Sequence, residues 1–127
     1  MDMSQELPQP LNVSIEDHHA FIVECLRHVG TSEQHALIVA DALTLTDSWG
    51  TITHGSKLLN GYTSRVKHGG CRSNVDPEIV RDGPSWSIID GNSTLGQVAA
   101  TFAMQTAIGK AKEAGMAYVG VHNSCHF

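Results

Sequence analysis

The chain has 127 residues, room for one ordinary domain and too few for two. Apolar residues make up 41% and charged residues 17%, a balance that excludes an intrinsically disordered chain. Eight Lys and Arg against thirteen Asp and Glu give a net charge of −5, which offers no general attraction for nucleic acid or an anionic membrane surface. Eight histidines are the compositional oddity, since protonating all eight carries the charge to +3. The electrostatics therefore shift near the ordinary histidine pKa of ~6.5.

Three cysteines, Cys25, Cys71 and Cys125, form no CxxC pair, and their odd number argues against a secreted disulfide scaffold. The apolar stretches fall short of the ~18 residues a membrane span needs. Met1–Glu6 lacks the basic region and apolar run of a signal peptide. A soluble protein of a reducing, cytoplasmic compartment is the expectation.

Residues 1–12, with Pro8 and Pro10 among polar residues, read as an arm. Ser14 and Asp17 form a capping-box-like start for a first helix. His18, Ile22, Cys25, Leu26 and Val29 share its inner face, and Gly30 ends it. Thr31, with Gln34 three residues on, is expected to cap a second helix with Ala36, Val39, Ala40 and Leu43 inward. That helix ends near Trp49-Gly50. Thr51–Gly55 leads into a third helical stretch, about 56–68, closed by Gly69-Gly70. Glu78–Arg81 and Ser85–Asp90 read as strands around the turn Asp82-Gly83-Pro84. A long helix runs from Gly96 to about Ala114, with a stripe of Ala99, Ala100, Ala103, Ala107, Ala111 and Ala114 facing inward. Met116–Val121 reads as a buried strand. The predicted class is α/β, a helical N-terminal half followed by β-β-α-β.

Three places carry candidate chemistry. His54, in Thr53-His54-Gly55 between two helices, can face a cleft as a proton donor or acceptor. His122–His126 follows an apolar strand, where ligands of α/β sheets gather. Its two histidines and Cys125 raise a metal-site alternative. Against it, the spacing suits a helix that is not predicted, and no acidic residue is near. Asp90–Gly96 is a Gly-containing lead into a helix N-terminus, where an anion can bind, but it carries no dinucleotide or P-loop signature. The first two helices imitate a helix-turn-helix. The second carries Glu33, Asp41 and Asp47 with no Lys or Arg, which repels phosphate. Lys57, Arg65, Lys67 and His68 read as a solvated basic face.

Taken in order, the capped first helix, Trp49-Gly50, Thr53-His54-Gly55, Gly61-Tyr62, Gly69-Gly70, Asp90-Gly91, Gly96-Gln97, Ala111–Gly115 and Asn123-Ser124-x-His126-Phe127 resemble one family. It is the malate/L-lactate dehydrogenase family of the non-Rossmann type, which includes ureidoglycolate, sulfolactate and diketogulonate oxidoreductases and an imine reductase. The resemblance runs from about residue 13 to the last residue. It implies that this α/β region is part of a larger non-Rossmann dehydrogenase fold. It also implies hydride transfer between a 2-hydroxy acid and its 2-oxo acid, with NAD or NADP as cofactor. By the same resemblance His126 is the proton acceptor and His54 a catalytic substrate contact. Thr53, Tyr62, Asn123 and Ser124 bind substrate, and no metal takes part. A homodimer is the implied assembly.

Two departures stand out. Leu58 occupies a position where many members carry an Arg suited to the substrate carboxylate. The neighbouring Lys57 points about 100° away on a helix. Members are also much longer, so the chain reads as an N-terminal fragment, inactive alone. A non-enzymatic remnant or interaction module is the competing expectation.

Overall fold

The computed structural model describes residues 12–126, so most of the expected N-terminal arm lies outside the described residues. Helix α1 spans Ile15–His28. The Ser14 hydroxyl accepts the Asp17 N–H and donates to the Asp17 carboxylate, so the capping pair forms as expected. Gly30, at φ +93°, turns the chain out of α1. Helix α2 spans Glu33–Ser48, and its cap is Ser32 rather than Thr31. The Thr31 N–H still bonds the Leu26 carbonyl and closes α1. Ser32 is therefore the first residue able to cap, and its hydroxyl accepts the His35 N–H.

The expected inner faces pack. Ile22 and Leu26 of α1 meet Ala36, Val39, Ala40 and Leu43 of α2, joined by Leu95 and Val98 from the C-terminal half. Fully burying a side chain such as Ile22 or Leu26 is worth ~1.5–3 kcal/mol. His35 is buried too. Its Nδ1 meets the Ser73 carbonyl and its Nε2 the Asp76 carboxylate, which pins the long 68–77 connection to α2.

The third helical stretch begins as a 3₁₀ turn, Ser56–Leu58, and continues as α3, Leu59–Lys67. Strands β1, Glu78–Gly83, and β2, Trp86–Asp90, form an antiparallel hairpin in which Gly83 pairs with Trp86 across Pro84-Ser85. Helix α4, Gly96–Ala114, crosses over to β3, Tyr118–His122, which lies parallel to β2. The sheet order is β1-β2-β3. The observed α/β class and the helices-then-β-β-α-β order match the sequence reading.

Strand β3 departs from the expectation of burial. It is one of the sheet's two edge strands among the described residues, and Tyr118 is 67% exposed. The alanine stripe of α4 behaves similarly. Ala99 and Ala103 are buried, Ala107 and Ala111 are half-buried, and Ala114 is exposed. Among the described residues α4 packs against α2 and the sheet, and the cover of the stripe thins toward its C-terminal end.

Candidate functional site

Three segments meet beside α3. The first carries His54. Asp47, at the end of α2, accepts the Ser56 N–H at 2.8 Å and contacts His18 Nε2 at 3.0 Å. Burial pushes the Asp47 carboxyl up, but the bonds from Ser56 and His18 and the His18 charge outweigh it and hold the group below its ordinary value. Gly55 is required there, because a Cβ at that position would overlap the Asp47 carboxylate. This fixes the loop just after His54. The Thr53 hydroxyl lies 2.9 Å from His54 Nδ1 and orients the ring.

The second segment is α3 with its 3₁₀ lead. Leu58, Gly61, Tyr62 and Arg65 stand three, four and seven apart, so they share one face. Tyr62 is buried, and its hydroxyl accepts a hydrogen bond from Gln97 Nε2 at 3.0 Å. Arg65 is exposed and enters no ion pair among the described residues.

The third segment follows β3 and is laced to the 90–94 turn. The Gly91 N–H bonds the His122 carbonyl, the Ser93 N–H the Asn123 carbonyl, and the Cys125 N–H the Thr94 carbonyl. The Asn123 amide donates to Asp90, and its oxygen accepts from the Ser93 hydroxyl. Asn123 holds a left-handed backbone, φ 53°, which Asn adopts more readily than most residues. The Asn92 N–H and the Asn123 amide beside Asp90, with the His122 charge, keep the Asp90 carboxyl below its usual value despite partial desolvation. A Cβ on Gly91 would come within 2.8 Å of the Ser124 Cβ, so the close seating of this segment needs glycine. Cys71 and Cys125 are joined as a disulfide, a pairing the cysteine count did not foresee.

These segments enclose a hollow of about 180 Å³ lined by Thr53, His54, Leu58, Gly61, Tyr62, Arg65 and His126. Four predicted site residues, Thr53, His54, Tyr62 and His126, are thus brought together from positions up to 73 apart in sequence. Asn123 and Ser124 do not line it. The Asn123 side chain is committed to Asp90 and Ser93, so it places the His126 segment rather than facing the hollow. Arg65 is the residue that sequence reasoning passed over. Its signal was the seven-residue spacing from Leu58, which the basic stretch around it obscured. Lys57 lies on a different, larger hollow of about 620 Å³, whose one carboxylate, Asp47, is already bonded to Ser56 and His18.

The Asp90–Gly96 turn offers little to an anion, because its Gly91 and Ser93 N–H groups bond the His126 segment. The metal alternative loses its cysteine, since Cys125 is bound to Cys71. Among the described residues no three His, Cys, Asp or Glu side chains cluster as metal ligands. No helix among them is long and apolar enough to cross a membrane.

Chemically, the hollow offers two imidazoles, a phenol, a hydroxyl and one guanidinium against an apolar wall. That set suits a small anionic molecule with a polar reacting oxygen.

The sequence profile described as malate/L-lactate dehydrogenase matches residues 13–127. A malate dehydrogenase of Pyrococcus abyssi is 39% identical over 108 residues, 85% of this chain and 30% of that protein. A malate/(S)-sulfolactate dehydrogenase of Methanothermus fervidus is 37% identical over 115 residues, 91% of this chain and 34% of its own length. Among solved structures, malate dehydrogenase from Entamoeba histolytica superposes with a TM-score of 0.90 at 38% identity, covering 94% of this chain and 33% of the other. The chain spans about a third of the length of these relatives.

Proposed function

The chain belongs to the malate/L-lactate dehydrogenase family, and from that premise we propose that it forms the substrate side of an NAD(P)-dependent oxidoreductase interconverting a 2-hydroxy acid and a 2-oxo acid. The observation that carries this reading is the convergence of His54, Tyr62, Arg65 and His126 on one small hollow. His126 carries the proton of the reacting hydroxyl, work suited to an imidazole near neutral pH. His54, with Nδ1 facing the Thr53 hydroxyl, turns Nε2 to the substrate oxygen and steadies charge developing there. Tyr62 lines the hollow with its ring held by the hydrogen bond its hydroxyl accepts from Gln97. Arg65 takes the substrate carboxylate, replacing the arginine that Leu58 displaces, with a planar fork matched to a carboxylate. Asn123 and Ser124 serve by placing the His126 segment.

The hollow's 180 Å³ fits a small acid. It falls short of the ~300–1,000 Å³ typical of pockets that enclose larger ligands. This hollow therefore takes the acid and not a dinucleotide, and no step is assigned through that group. By this account the 127-residue chain binds a 2-oxo acid but does not turn it over alone. The proposed setting is the cytoplasm and the proposed assembly a homodimer. Exposed Trp49, Met104, Met116 and Tyr118 support the dimer, and monomer mass in sedimentation equilibrium at all concentrations contradicts it.

Saturation-transfer NMR on pyruvate tests the binding. Signal is expected with the chain as it stands. It weakens about 10-fold or more in Arg65→Met, because a hydrogen-bonded ionic contact is worth ~1.5–3 kcal/mol. Equal signal from both proteins removes Arg65 from the site. A parallel assay of nicotinamide absorbance with NADH, NADPH and 2-oxo acids is expected to stay flat, and robust turnover overturns inactivity of the chain alone.

A further inference from the structure

We propose that Cys71 and Cys125 form a reversible redox site, at which thiol–disulfide exchange with a low-molecular-weight disulfide sets how firmly His126 is held. The two residues are 54 apart in sequence, and their Cα atoms lie 6.4 Å apart. Cys71 follows the glycines that end α3 and is 4% exposed, while Cys125 is half-buried and adjoins His126. The bond therefore ties the helix carrying Tyr62 and Arg65 to the segment carrying His126.

Backbone bonds link the two sides only indirectly, with the Arg72 N–H on the Ser93 carbonyl and the Ser93 N–H on the Asn123 carbonyl, and they stop short of His126. The segment's last backbone hydrogen bond runs from the Cys125 N–H to the Thr94 carbonyl at 3.0 Å. Among the described residues His126 makes none of its own. The open state is also provided for. The Cys125 sulfur lies 3.4 Å from the Ser93 carbonyl and 3.5 Å from the Gly70 carbonyl, acceptors for a thiol. Both states thus have local partners, and what changes is the covalent constraint beside His126.

Glutathione disulfide serves as the co-reactant. The Cys125 thiolate, the more exposed of the two, attacks one of its sulfurs. The glutathione S–S bond breaks, one glutathione thiolate leaves, and a mixed disulfide forms on Cys125. The Cys71 thiolate then attacks the Cys125 sulfur and displaces the second glutathione. Two protein thiols are oxidised by two electrons, and the glutathione disulfide is reduced to two thiols that take up the two released protons. Excess glutathione runs the exchange backwards. Cys25, on α1, keeps its free thiol throughout.

The 127-residue chain is equilibrated over a series of glutathione to glutathione-disulfide ratios, and its thiols are counted by maleimide labelling and intact mass. Amide exchange at Cys125 and the ring signals of His126 are followed by NMR. The count is expected to move between three thiols and one. Exchange at Cys125 is expected to speed about 10-fold on reduction, with the His126 ring signals shifting in step. Cys25→Ser still cycles, between two thiols and none. Cys71→Ser cannot close the bond, so it keeps fast Cys125 exchange at every ratio and at oxidising ratios carries one glutathione on Cys125 by intact mass; chemical reduction of the unaltered chain supplies the same comparison should that variant not fold. Three thiols at every ratio overturn the proposal, as do identical Cys125 exchange and His126 signals in the two states.

Discussion

Two glycines near the hollow have opposite reasons to be there. Gly55 leaves room for the Asp47 carboxylate, which holds the Ser56 N–H and so fixes the turn behind His54. Gly61 has no atom within 4 Å of where a Cβ would stand, yet it sits inside α3 and lines the hollow. Gly61→Ala is therefore expected to raise stability by ~0.5–1 kcal/mol, through helix propensity. Gly55→Ala is expected to lower stability by ~1–3 kcal/mol, the cost of stranding a buried hydrogen-bonding group. Thermal melts of the two variants check the pair, and shifts of the same sign count against this reading. His54 and the His122–His126 cluster stood out locally, as imidazoles beside a glycine and at a strand end, whereas the roles of Thr53, Tyr62 and His126 came through the family resemblance. Arg65 was not legible, because a lone Arg in a basic stretch looks like solvated surface until α3 puts it seven residues from Leu58.

At the scale of elements, the disulfide joins the end of α3 to the segment after β3 across 54 residues. Chain-entropy reasoning gives a closed loop of that length about 4 kcal/mol of stabilisation. Reduction is therefore expected to lower the Tm of the unaltered chain by on the order of 10 °C or more and to leave Cys71→Ala unchanged. An unchanged Tm on reduction contradicts the tether. The helices were legible from their stripes and from ends marked by local chemistry, Ser14 starting α1 and Gly30, Gly50, Gly69 and Gly115 following α1, α2, α3 and α4. The cap of α2 slipped by one residue because Thr31 and Ser32 offer the same hydroxyl. Only the Thr31 N–H bond back to Leu26 decides between them. Burial of β3 and of the far end of the alanine stripe was not legible, since periodicity reports which face is apolar and not whether a neighbour covers it.

For the whole molecule, the helical layer and the sheet are held by charges that answer to pH. Asp47, Asp82 and Asp90 all have folded-state carboxyls below their ordinary value of 3.8. For Asp82 the cause is chiefly the Lys110 ammonium, which also reaches the Gly83 carbonyl and ties α4 to the hairpin. A carboxyl depressed on folding stabilises the native state above its unfolded value, and that contribution disappears as pH falls through the folded value. The Tm is thus expected to fall steeply below about pH 4. Asp47→Asn is expected to start lower at pH 6 and fall less, and parallel curves for the two proteins contradict the role of Asp47.

The central claim is that His54, Tyr62, Arg65 and His126 together receive a small 2-oxo acid. Its most direct measurement is a ¹H–¹⁵N NMR titration of the 127-residue chain with a 2-oxo acid. The account predicts saturable shifts at Thr53, His54, Gly61, Tyr62, Arg65 and His126, with the hollow around His18 and Lys57 unmoved. Shifts centred on that other hollow, or none that saturate, contradict it.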